Sequence, residues 1–333
     1  MAATLKDVAE RAGVSRSAVS RAFTAGASVS PKTRKKIEKA ADDLGYHPNA
    51  LASSLTTGRT KMIGLISNNF HNPIFLTVFD LFTRGLQERG LRPLLVNLTD
   101  ETDAENSVRM LRQYSVDGVI VASSTLPVAF AEAFRAAGMP VVHSFGRHAV
   151  NPKVDVIGIN NISAGRLAAQ TLVARGYKNV GFLGGPRDAT STQDRYKGFV
   201  TELAARTDVT IKSSYADQYS FAAGRTEMQA LLRAGDVADA YFCGDDVLSI
   251  GALSAIKDVG LRIPEDIGLI GLNDMDMSGW ANINLTTIHN PFSEIIAKSI
   301  ELVASRVEDE KRPPKAHLFD CSIVERGTLR PLP

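Results

Sequence analysis

The stretch "TLKDVAERAGVSRSAVSRAF", residues 4–23, predicts two short helices joined by a tight turn. Thr4 followed three residues later by Asp7 fits a capping box at the start of the first helix. Gly13 ends that helix, and Ser15 can cap the second one. The positions expected to face inward recur at helical spacing: Val8, Ala9, Ala12, Val19 and Phe23. Two short helices around a glycine-containing turn are typical of a helix-turn-helix unit.

A third helix is predicted after the loop "TAGASV", residues 24–29. Ser30 can cap it, Pro31 takes the first position, where proline is favoured, and Gly45 ends it. Its buried face is predicted to contain Ile37, Ala40, Ala41 and Leu44. The chain therefore begins with an all-helical domain, which we assign to residues 1–47.

The second helix of such a unit lies in the DNA major groove. Its outward side chains are predicted to be Arg16, Ser17, Ser20 and Arg21, and arginine can bind guanine through two hydrogen bonds. Four further side chains are placed for phosphate contact, partly through helix N-termini: Thr4, Ser15, Lys32 and Thr33. A three-helix protein-interaction module could share this pattern.

The charge of the chain is unevenly distributed. The 333 residues are 44% hydrophobic and 22% charged with a net charge of +2, an ordinary globular composition whose length suggests two or more domains. Residues 1–60 hold ten Lys or Arg and five Asp or Glu, so this part carries +5 and the rest −3. A basic head on a mildly acidic body favours a polyanionic partner over a merely solvated basic face.

Several classes of protein are not supported by the sequence. The two cysteines, Cys243 and Cys321, imply no disulfide framework, and a reducing cytoplasm is expected. No apolar run is long enough for a membrane span, and the N-terminus lacks the apolar segment of a secretory signal. The glycine-rich "GFLGGPRD", residues 181–188, is neither a Walker sequence nor GxGxxG. With scattered histidines and no catalytic motif, we expect no enzyme activity, metal or cofactor.

From residue 62 onward, apolar strands alternate with helices. A first run contains "MIGLI", "RPLLVNL", "DGVIVA", "PVVHS" and "VIGI", and a second contains "NVGFL", "TIKSS", "AYFCG" and "IGLIG". Such βα repeats predict an α/β fold with doubly wound parallel sheets. Two runs in series predict two lobes with a ligand between the carboxyl ends of their strands. A solute-binding receptor without DNA function would explain this body as well.

Two segments resemble the head of the LacI/GalR family of bacterial repressors almost position for position. They are "TLKDVAERAGVSRSAVSRAF" and "VSPKTRKKIEKAADDLGYHPNALASSL", residues 29–55. The resemblance implies that the side chains of Arg16, Ser17 and Arg21 contact bases. The sequence departs from the family at Thr24, where asparagine is usual, and at Ser28, which affects the backbone contacts of that loop.

The resemblance also assigns a role to "PNALASSL", residues 48–55, which is too short to form a stable helix alone. The family has a hinge helix here, with Asn49 at the capping position, Leu51 facing a second subunit, and Ala52 and Leu55 in the minor groove. Leucines inserted from two subunits would kink the duplex. A homodimer on a palindromic double-stranded operator follows. The alternative is a linker with one turn of helix.

The domain boundaries follow from the same resemblance to a periplasmic-binding-protein-like body. We predict a hinge and linker at residues 48–60 and an effector-binding and dimerisation domain at 61–333. Its first lobe is predicted at about 61–161 plus 289–320, and its second lobe is predicted to be continuous, at about 162–288.

The resemblance further suggests which side chains contact a small effector. They lie in "NNFHNPIF", "FGR", "STQDRYKGF", "QYSFAAG", "FCGDDVLSIGAL", "IGLNDMD" and "HNPF". The predicted residues are Asn72, Phe75, Arg147, Arg195, Tyr219, Asp245, Asn273, His289 and Phe292. Other interpretations stay open: Phe75 and Phe292 as core, Arg195 paired with Asp194, and Tyr219 at a lobe edge. Asp246 is expected to cap the helix that follows it.

The order of two polar residues bears on the ligand. The family commonly has asparagine at the position of Asp245 and aspartate at that of Asn273, so carboxylate and amide are exchanged here. A polyhydroxy ligand remains plausible because charge-assisted hydrogen bonds suit sugar hydroxyls. Arg147 and Arg195 would also permit an acidic or phosphorylated sugar, a polyol is a further alternative, and a purine ranks lower because it would need more aromatic stacking. The sequence therefore predicts an effector-controlled transcription regulator, most simply a repressor.

Overall fold

The computed structural model describes residues 3–24, 26–49, 54, 58–98, 103–309 and 311–333. The chain divides into two compact units, Met1–Thr60 and Lys61–Pro333. We refer to them as the head and the body.

The head contains the three predicted helices: α1 (Leu5–Ala12), α2 (Arg16–Ala22) and α3 (Pro31–Leu44). The capping box at α1 is formed, since the backbone N–H of Thr4 donates to Asp7 Oδ2 at 2.8 Å. Ser15 and Ser30 cap the next two helices. Gly13 and Gly45 have left-handed backbones with φ of 62° and 60°, which glycine adopts without steric cost.

The three helices share one small apolar core. Its fully buried members are Val8, Ala9, Ala12, Val19, Ala22, Ile37, Ala40 and Ala41. The prediction that Phe23 and Leu44 are buried is wrong, since each is 37% exposed. Phe23 is the C-cap of α2 and Leu44 the last residue of α3, where the apolar face runs past the core. The Phe23 ring packs instead on Tyr46, with centroids 6.0 Å apart.

The first lobe of the body contains a sheet whose six described strands are all parallel, in the order β11-β5-β4-β3-β1-β2. Its strands are β1 (Met62–Ser67), β2 (Arg92–Asn97), β3 (Gly118–Ala122), β4 (Val141–Ser144), β5 (Asp155–Ile159) and β11 (Ala316–Phe319). Its helices are α4 (Ile74–Glu88), α5 (Ala104–Gln113), α6 (Val128–Ala136) and α11 (Phe292–Glu308).

The second lobe has a sheet of the same design, in the order β12-β10-β9-β8-β6-β7. Its described strands are β6 (Asn179–Gly184), β7 (Thr210–Tyr215), β8 (Ala240–Cys243), β9 (Gly268–Asn273), β10 (Thr287–His289) and β12 (Ser322–Val324). Its helices are α7 (Asn161–Ala174), α8 (Thr190–Leu203), α9 (Phe221–Ala234) and α10 (Asp246–Asp258). Only β12 runs antiparallel to its described neighbour. The predicted class, a helical head and a two-lobed α/β body with parallel sheets, is confirmed.

The prediction of a continuous second lobe is wrong, because the C-terminal segment returns to it. β12 pairs with β10, and the hydroxyl of Thr328 donates to the carbonyl of Leu269 at 2.7 Å. The chain thus passes between the lobes three times, after β5, β10 and β11. His289 belongs to β10 of the second lobe, so the later piece of the first lobe starts only with α11.

Buried charge holds the two pieces of the first lobe together. Asp155, fully buried at the start of β5, accepts from Arg306 Nη2 at 2.7 Å and from Arg312 Nη2 at 2.8 Å. It also accepts from the backbone N–H of Lys315 at 2.9 Å. One carboxylate therefore joins β5 to the end of α11 and to the segment that leads into β11.

Candidate functional site

The outward face of α2 carries the predicted base-reading side chains. Arg16, Ser17, Ser20 and Arg21 are all exposed. Ser15 accepts from the backbone N–H of Ala18 at 3.2 Å, and its hydroxyl shares a hydrogen bond of 2.9 Å with that of Ser17. Two guanidinium groups thus flank hydroxyls on one short helix, a set that can bind base edges and phosphates.

The residues predicted to contact phosphate lie at helix N-termini, and Thr4 and Thr33, like Ser15, have local partners. The Thr4 hydroxyl donates to Asp7 Oδ2 at 2.8 Å. The backbone N–H of Thr4 and, to a smaller extent, this hydroxyl lower the pKa of Asp7. The Thr33 hydroxyl shares a 2.8 Å hydrogen bond with that of Ser30. Lys32 is exposed in the first turn of α3. Helix N-termini and an exposed lysine are groups that can bind a backbone phosphate.

The predicted hinge is only partly covered by the structure. Asn49 is exposed at the end of the head. Leu51, Ala52 and Leu55 lie outside the described residues, so their minor-groove role stays a prediction.

A cavity lies between the two lobes of the body. Seven of the nine residues predicted to contact an effector line it: Asn72, Phe75, Arg195, Tyr219, Asp245, Asn273 and Phe292. The lining is completed by Asn69, Ile74, Ser124, Phe145, Ile159, Asn161 and Asn290, none of which was predicted. The cavity thus combines amides, one carboxylate and one guanidinium with aromatic rings.

A buried carboxylate stands at the centre of this lining. Asp245 Oδ2 accepts from Nδ2 of Asn72 at 2.9 Å and from Nδ2 of Asn273 at 2.8 Å. Asn72 belongs to the first lobe and Asp245 to the second, so this is a direct bond between lobes. Burial raises the pKa of Asp245 to about 7, although the backbone N–H of Val247 stabilises the ionised form.

Arg195 is held on the cavity wall by its own lobe. Its Nε donates to Asn161 Oδ1 at 2.8 Å, and Nη1 donates to the carbonyl of Gly244. It does not pair with Asp194, the alternative left open by the sequence. Tyr219 is buried and shares a 2.6 Å hydrogen bond with the Thr192 hydroxyl, so its ring faces the cavity edge with its polar end already bound.

Arg147 and His289 are not part of the cavity lining. Arg147 is bound across the lobes to Asp194, with Nε donating to Oδ2 at 2.9 Å, and this raises the pKa of Arg147. His289 lies on a neighbouring cleft, with Nδ1 3.1 Å from Asp274 Oδ2. The sequence did not indicate Asp194 as the partner of Arg147 or Asp274 as the partner of His289. The two residues of these pairs are 47 and 15 positions apart along the chain.

The two adjacent aspartates have different tasks from those expected. Asp245 itself is the N-cap of α10, where its side chain accepts from the N–H of Val247 at 2.9 Å. Asp246 is fully buried and accepts from the hydroxyls of Thr287 at 2.5 Å and Ser278 at 2.8 Å. The expectation that Asp246 caps the helix is therefore wrong. Asp246 fixes the segment between β9 and β10, and Asp245 combines capping with a place on the cavity.

Aromatic rings line the apolar side of the cavity. Phe75 and Phe292 belong to the core and to the lining at once, so neither of the two interpretations excludes the other. The Phe292 ring packs on Phe145, with centroids 5.6 Å apart. Phe145 has a φ of 65°, an uncommon conformation for a bulky residue.

Neither a metal cluster nor a membrane helix is present in the described part of the chain. Groups of three or more potential metal ligands are not found there. In the same residues, no helix combines the length and apolarity needed to cross a membrane.

Comparisons with known proteins agree with this architecture. Residues 4–49 match the bacterial regulatory proteins of the lacI family, and residues 169–329 match a periplasmic binding protein-like domain. The chain is 31% identical over 335 residues to the HTH-type transcriptional repressor PurR of Actinobacillus pleuropneumoniae, covering 99% of both chains. It is 30% identical over 336 residues to the repressor CytR of Escherichia coli K12, covering 100% of this chain and 98% of CytR.

Solved structures show the same arrangement. A Lac repressor dimer bound to operator and the anti-inducer ONPF matches with a TM-score of 0.87 at 26% identity, covering 98% of this chain and 99% of that one. The regulator CelR in complex with cellobiose matches with a TM-score of 0.72 at 27% identity and the same coverage. Because the relatives are repressors, the prediction of a DNA-binding transcription regulator rather than an enzyme is confirmed. The chain belongs to the lacI family of bacterial regulatory proteins.

Proposed function

We propose that this regulator represses transcription as a homodimer on a palindromic operator and is controlled by a neutral, sugar-like effector bound between its lobes. The observation that carries the proposal is the interlobe cavity, where Asn72 of one lobe and Asp245 of the other meet beside aromatic rings. A ligand that replaces or bridges the hydrogen bond between Asn72 and Asp245 changes the stability of the closed arrangement of the lobes relative to the open one. Such differential binding is what an effector needs in order to act.

The DNA half of the proposal is supported by the outward face of α2. Arg16 and Arg21 are exposed there, at either end of a helix whose opposite side packs into the head. Two twofold-related heads would place two such helices in successive major grooves, which requires a palindromic site. A Lac repressor dimer bound to operator is among the solved structures similar to this chain, which supports the proposal.

The chemistry of the cavity supports a polyhydroxy ligand. Amide and carboxylate groups bind neighbouring hydroxyls, and ring faces suit the C–H surface of a sugar. CelR, at 27% identity, is a relative with a bound sugar.

The charges favour a neutral ligand over a sugar phosphate. Within the described lining, Arg195 is the one cation and Asp245 the one anion, so they balance each other when both are ionised. The second arginine considered from the sequence, Arg147, is neutralised by Asp194. A doubly charged phosphate would therefore lack a dedicated partner in the cavity.

A thermal-shift screen of the full chain tests the effector. Neutral sugars and polyols are compared with their phosphorylated forms and with purine bases and nucleosides. We expect saturable stabilisation by a neutral sugar or polyol, since a ligand that binds only the folded state raises its stability. Arg195→Gln should abolish the shift. Arg225→Gln, which changes an arginine paired with Asp258 inside the second lobe, is the matched control and should keep it.

The outcome of the screen separates the candidate effectors. A shift with purines alone would transfer the proposal to that class. A shift with no compound would contradict effector control by these classes. Selection of bound fragments from genomic DNA, followed by mobility shifts at increasing salt, tests the operator half, because specific sites with phosphate contacts weaken steeply with salt. Binding that ignores sequence would contradict a dedicated operator.

A further inference from the structure

A buried oxygen at the cavity has no protein partner in the described residues. Asn290 is 5% exposed, lines the cavity, and its Oδ1 accepts no hydrogen bond there. Its Nδ2 donates to Asn273 Oδ1 at 3.1 Å. Leaving a buried acceptor unsatisfied costs free energy, so this atom favours a donor brought by a ligand.

The orientation of the Asn290 side-chain amide is set by the carboxylate of Asp245. Two successive hydrogen bonds, through Asn273, connect these two side chains. Ionised Asp245 can only accept, so Asn273 must turn its Nδ2 toward it, at 2.8 Å. The carbonyl oxygen of Asn273 then faces Asn290, which must donate to it. Both polar atoms of the Asn290 side chain are thereby assigned. Nδ2 donates to Asn273, and Oδ1 has no partner among the described residues. We name this chain the Asp245–Asn273–Asn290 relay.

The start of the relay cannot easily reverse. The second oxygen of Asp245 accepts from the backbone N–H of Val247 at 2.9 Å. Asn72, the other donor to Asp245, is fixed because its own Oδ1 accepts from the N–H of Ile74 at 3.2 Å. These contacts hold the carboxylate and both neighbouring amides in a single direction.

We infer that Asn290 is a specificity-determining residue whose Oδ1 accepts a hydrogen bond from a hydroxyl of the effector, in a direction that Asp245 sets through Asn273. The inference rests on the proposed sugar-like effector and adds a requirement to it. The ligand must present a donor at this position. An ether, carboxylate or phosphate oxygen can only accept, so ligands with such a group there are rejected.

The direction of the relay is testable without any ligand. Asn290→Asp is compared in the wild type and in the Asp245→Asn variant by thermal unfolding at about pH 8.5, where the carboxylate of Asp245 is ionised. In the wild type the new carboxylate faces the oxygen of Asn273, which cannot turn, so the melting temperature should fall. In the Asp245→Asn background, Asn273 can turn over, accept from the amide introduced at position 245 and donate to the new carboxylate. Most of the loss should therefore disappear.

A control separates the relay from simple charge repulsion. Asn69→Asp adds a carboxylate to the same cavity lining outside the relay. The fall in melting temperature caused by Asn69→Asp should depend much less on the residue at position 245 than the fall caused by Asn290→Asp. Equal losses for Asn290→Asp in both backgrounds, or equal relief for both added carboxylates, would overturn the inference.

A second measurement decides the question if Asn290→Asp does not fold. The side-chain amide signal of Asn290 is identified in an NMR spectrum by its absence in Asn290→Leu. In the wild type this NH₂ group donates to Asn273, so its exchange with water should be slow. In Asp245→Asn it should turn toward the cavity and exchange faster. Unchanged exchange in a folded Asp245→Asn protein would refute the relay.

The effector side is tested with the neutral sugar that binds in the screen. Each hydroxyl is replaced in turn by fluorine, which keeps the size but cannot donate. One position should lose about tenfold in affinity, as expected for one lost hydrogen bond. Asn290→Leu should bind the sugar and that analogue equally. If the fluorinated analogue still binds more weakly than the sugar in Asn290→Leu, the role of Asn290 is overturned. If no sugar binds in the screen, only the proposed effector is contradicted.

Discussion

Arg147→Ala is predicted to loosen the contact between the two lobes of the body. Arg147 follows β4 of the first lobe and reaches α8 of the second. Its Nε donates to Asp194 Oδ2 at 2.9 Å, and its Nη1 donates to Gln193 Oε1 at 3.3 Å. Any separation of the lobes at this rim breaks these bonds together.

The start of α8 depends on the first lobe in a second way. The N-cap residue of α8, Ala189, has no side chain able to cap it. Instead, the carbonyl of Ser124 in the first lobe accepts from the Thr190 hydroxyl at 3.0 Å and from the Ser191 N–H at 3.3 Å. Opening would therefore leave helix donors unsatisfied as well as the Asp194 carboxylate.

The structure sets the size of the effect. The Arg147 side chain is 36% exposed and that of Asp194 12%, so the pair lies between a solvated surface pair and a buried one. Surface pairs contribute about 0.2–1 kcal/mol, and hydrogen bonds to charged groups about 1.5–3 kcal/mol. We expect a loss of about 1–2 kcal/mol in the closed arrangement, which is a change of roughly 5–30-fold in the ratio of closed to open molecules.

Hydrogen exchange of the full chain measures this opening at the first turn of α8. In Arg147→Ala, a peptide covering residues 189–196 should exchange faster by about the same 5–30-fold factor. Arg225→Ala is the control, since it removes an arginine–aspartate pair that lies inside the second lobe, with Asp258, and that is more exposed, 42% and 45%. Unchanged exchange in Arg147→Ala, or an equal increase in the control, would refute the reasoning.

Three further outcomes can be checked directly. Asp155→Ala should cost about 3–5 kcal/mol in urea unfolding, because it leaves the buried Arg306 and the half-buried Arg312 without their carboxylate, whereas a loss below about 1 kcal/mol would contradict that role. Arg21→Ala should weaken specific operator binding by about 1–3 kcal/mol and relax one base position, while uniform weakening on all sequences would indicate a phosphate contact. Burial raises the pKa of Asp245 from 3.8 to about 7, so between these pH values the folded state holds a proton that the unfolded state has lost. The free energy of unfolding should therefore fall as the pH rises from about 4 to about 7. This dependence should be absent in Asp245→Asn.

The parts of the fold that could be predicted from sequence are those with a strong local signal. Strands such as Gly118–Ala122 are buried throughout and appear as continuous apolar runs. The caps at Thr4, Ser15 and Ser30 act within three residues and are equally local. By contrast, Ser322–Val324 has three residues and partial exposure, so only its pairing with β10 makes it a strand.

The cavity could be predicted in part for a related reason. Residues that follow the strands of a parallel sheet gather at one edge, which brings together Asn72, Arg195, Asp245 and Asn273 from distant segments. What the sequence could not supply is which polar group binds which. The Asn72–Asp245 hydrogen bond joins residues 173 positions apart. The ion pair between Arg147 and Asp194 depends on how closely the two lobes approach each other.

The exchange of carboxylate and amide between positions 245 and 273, which the family resemblance implies, fits the contact between these two side chains. The two side chains are joined by a 2.8 Å hydrogen bond from Asn273 to Asp245, and an aspartate at 273 could accept the same bond from an asparagine at 245. In either order the residue at 273 offers an oxygen to Asn290, because an aspartate there has only oxygens and an asparagine has its nitrogen already used. The polarity that Asn290 offers to a ligand is therefore the same in both arrangements. The exchange moves the negative charge along the cavity wall, which alters the preference for charged ligands without altering the demand for a donor at Asn290.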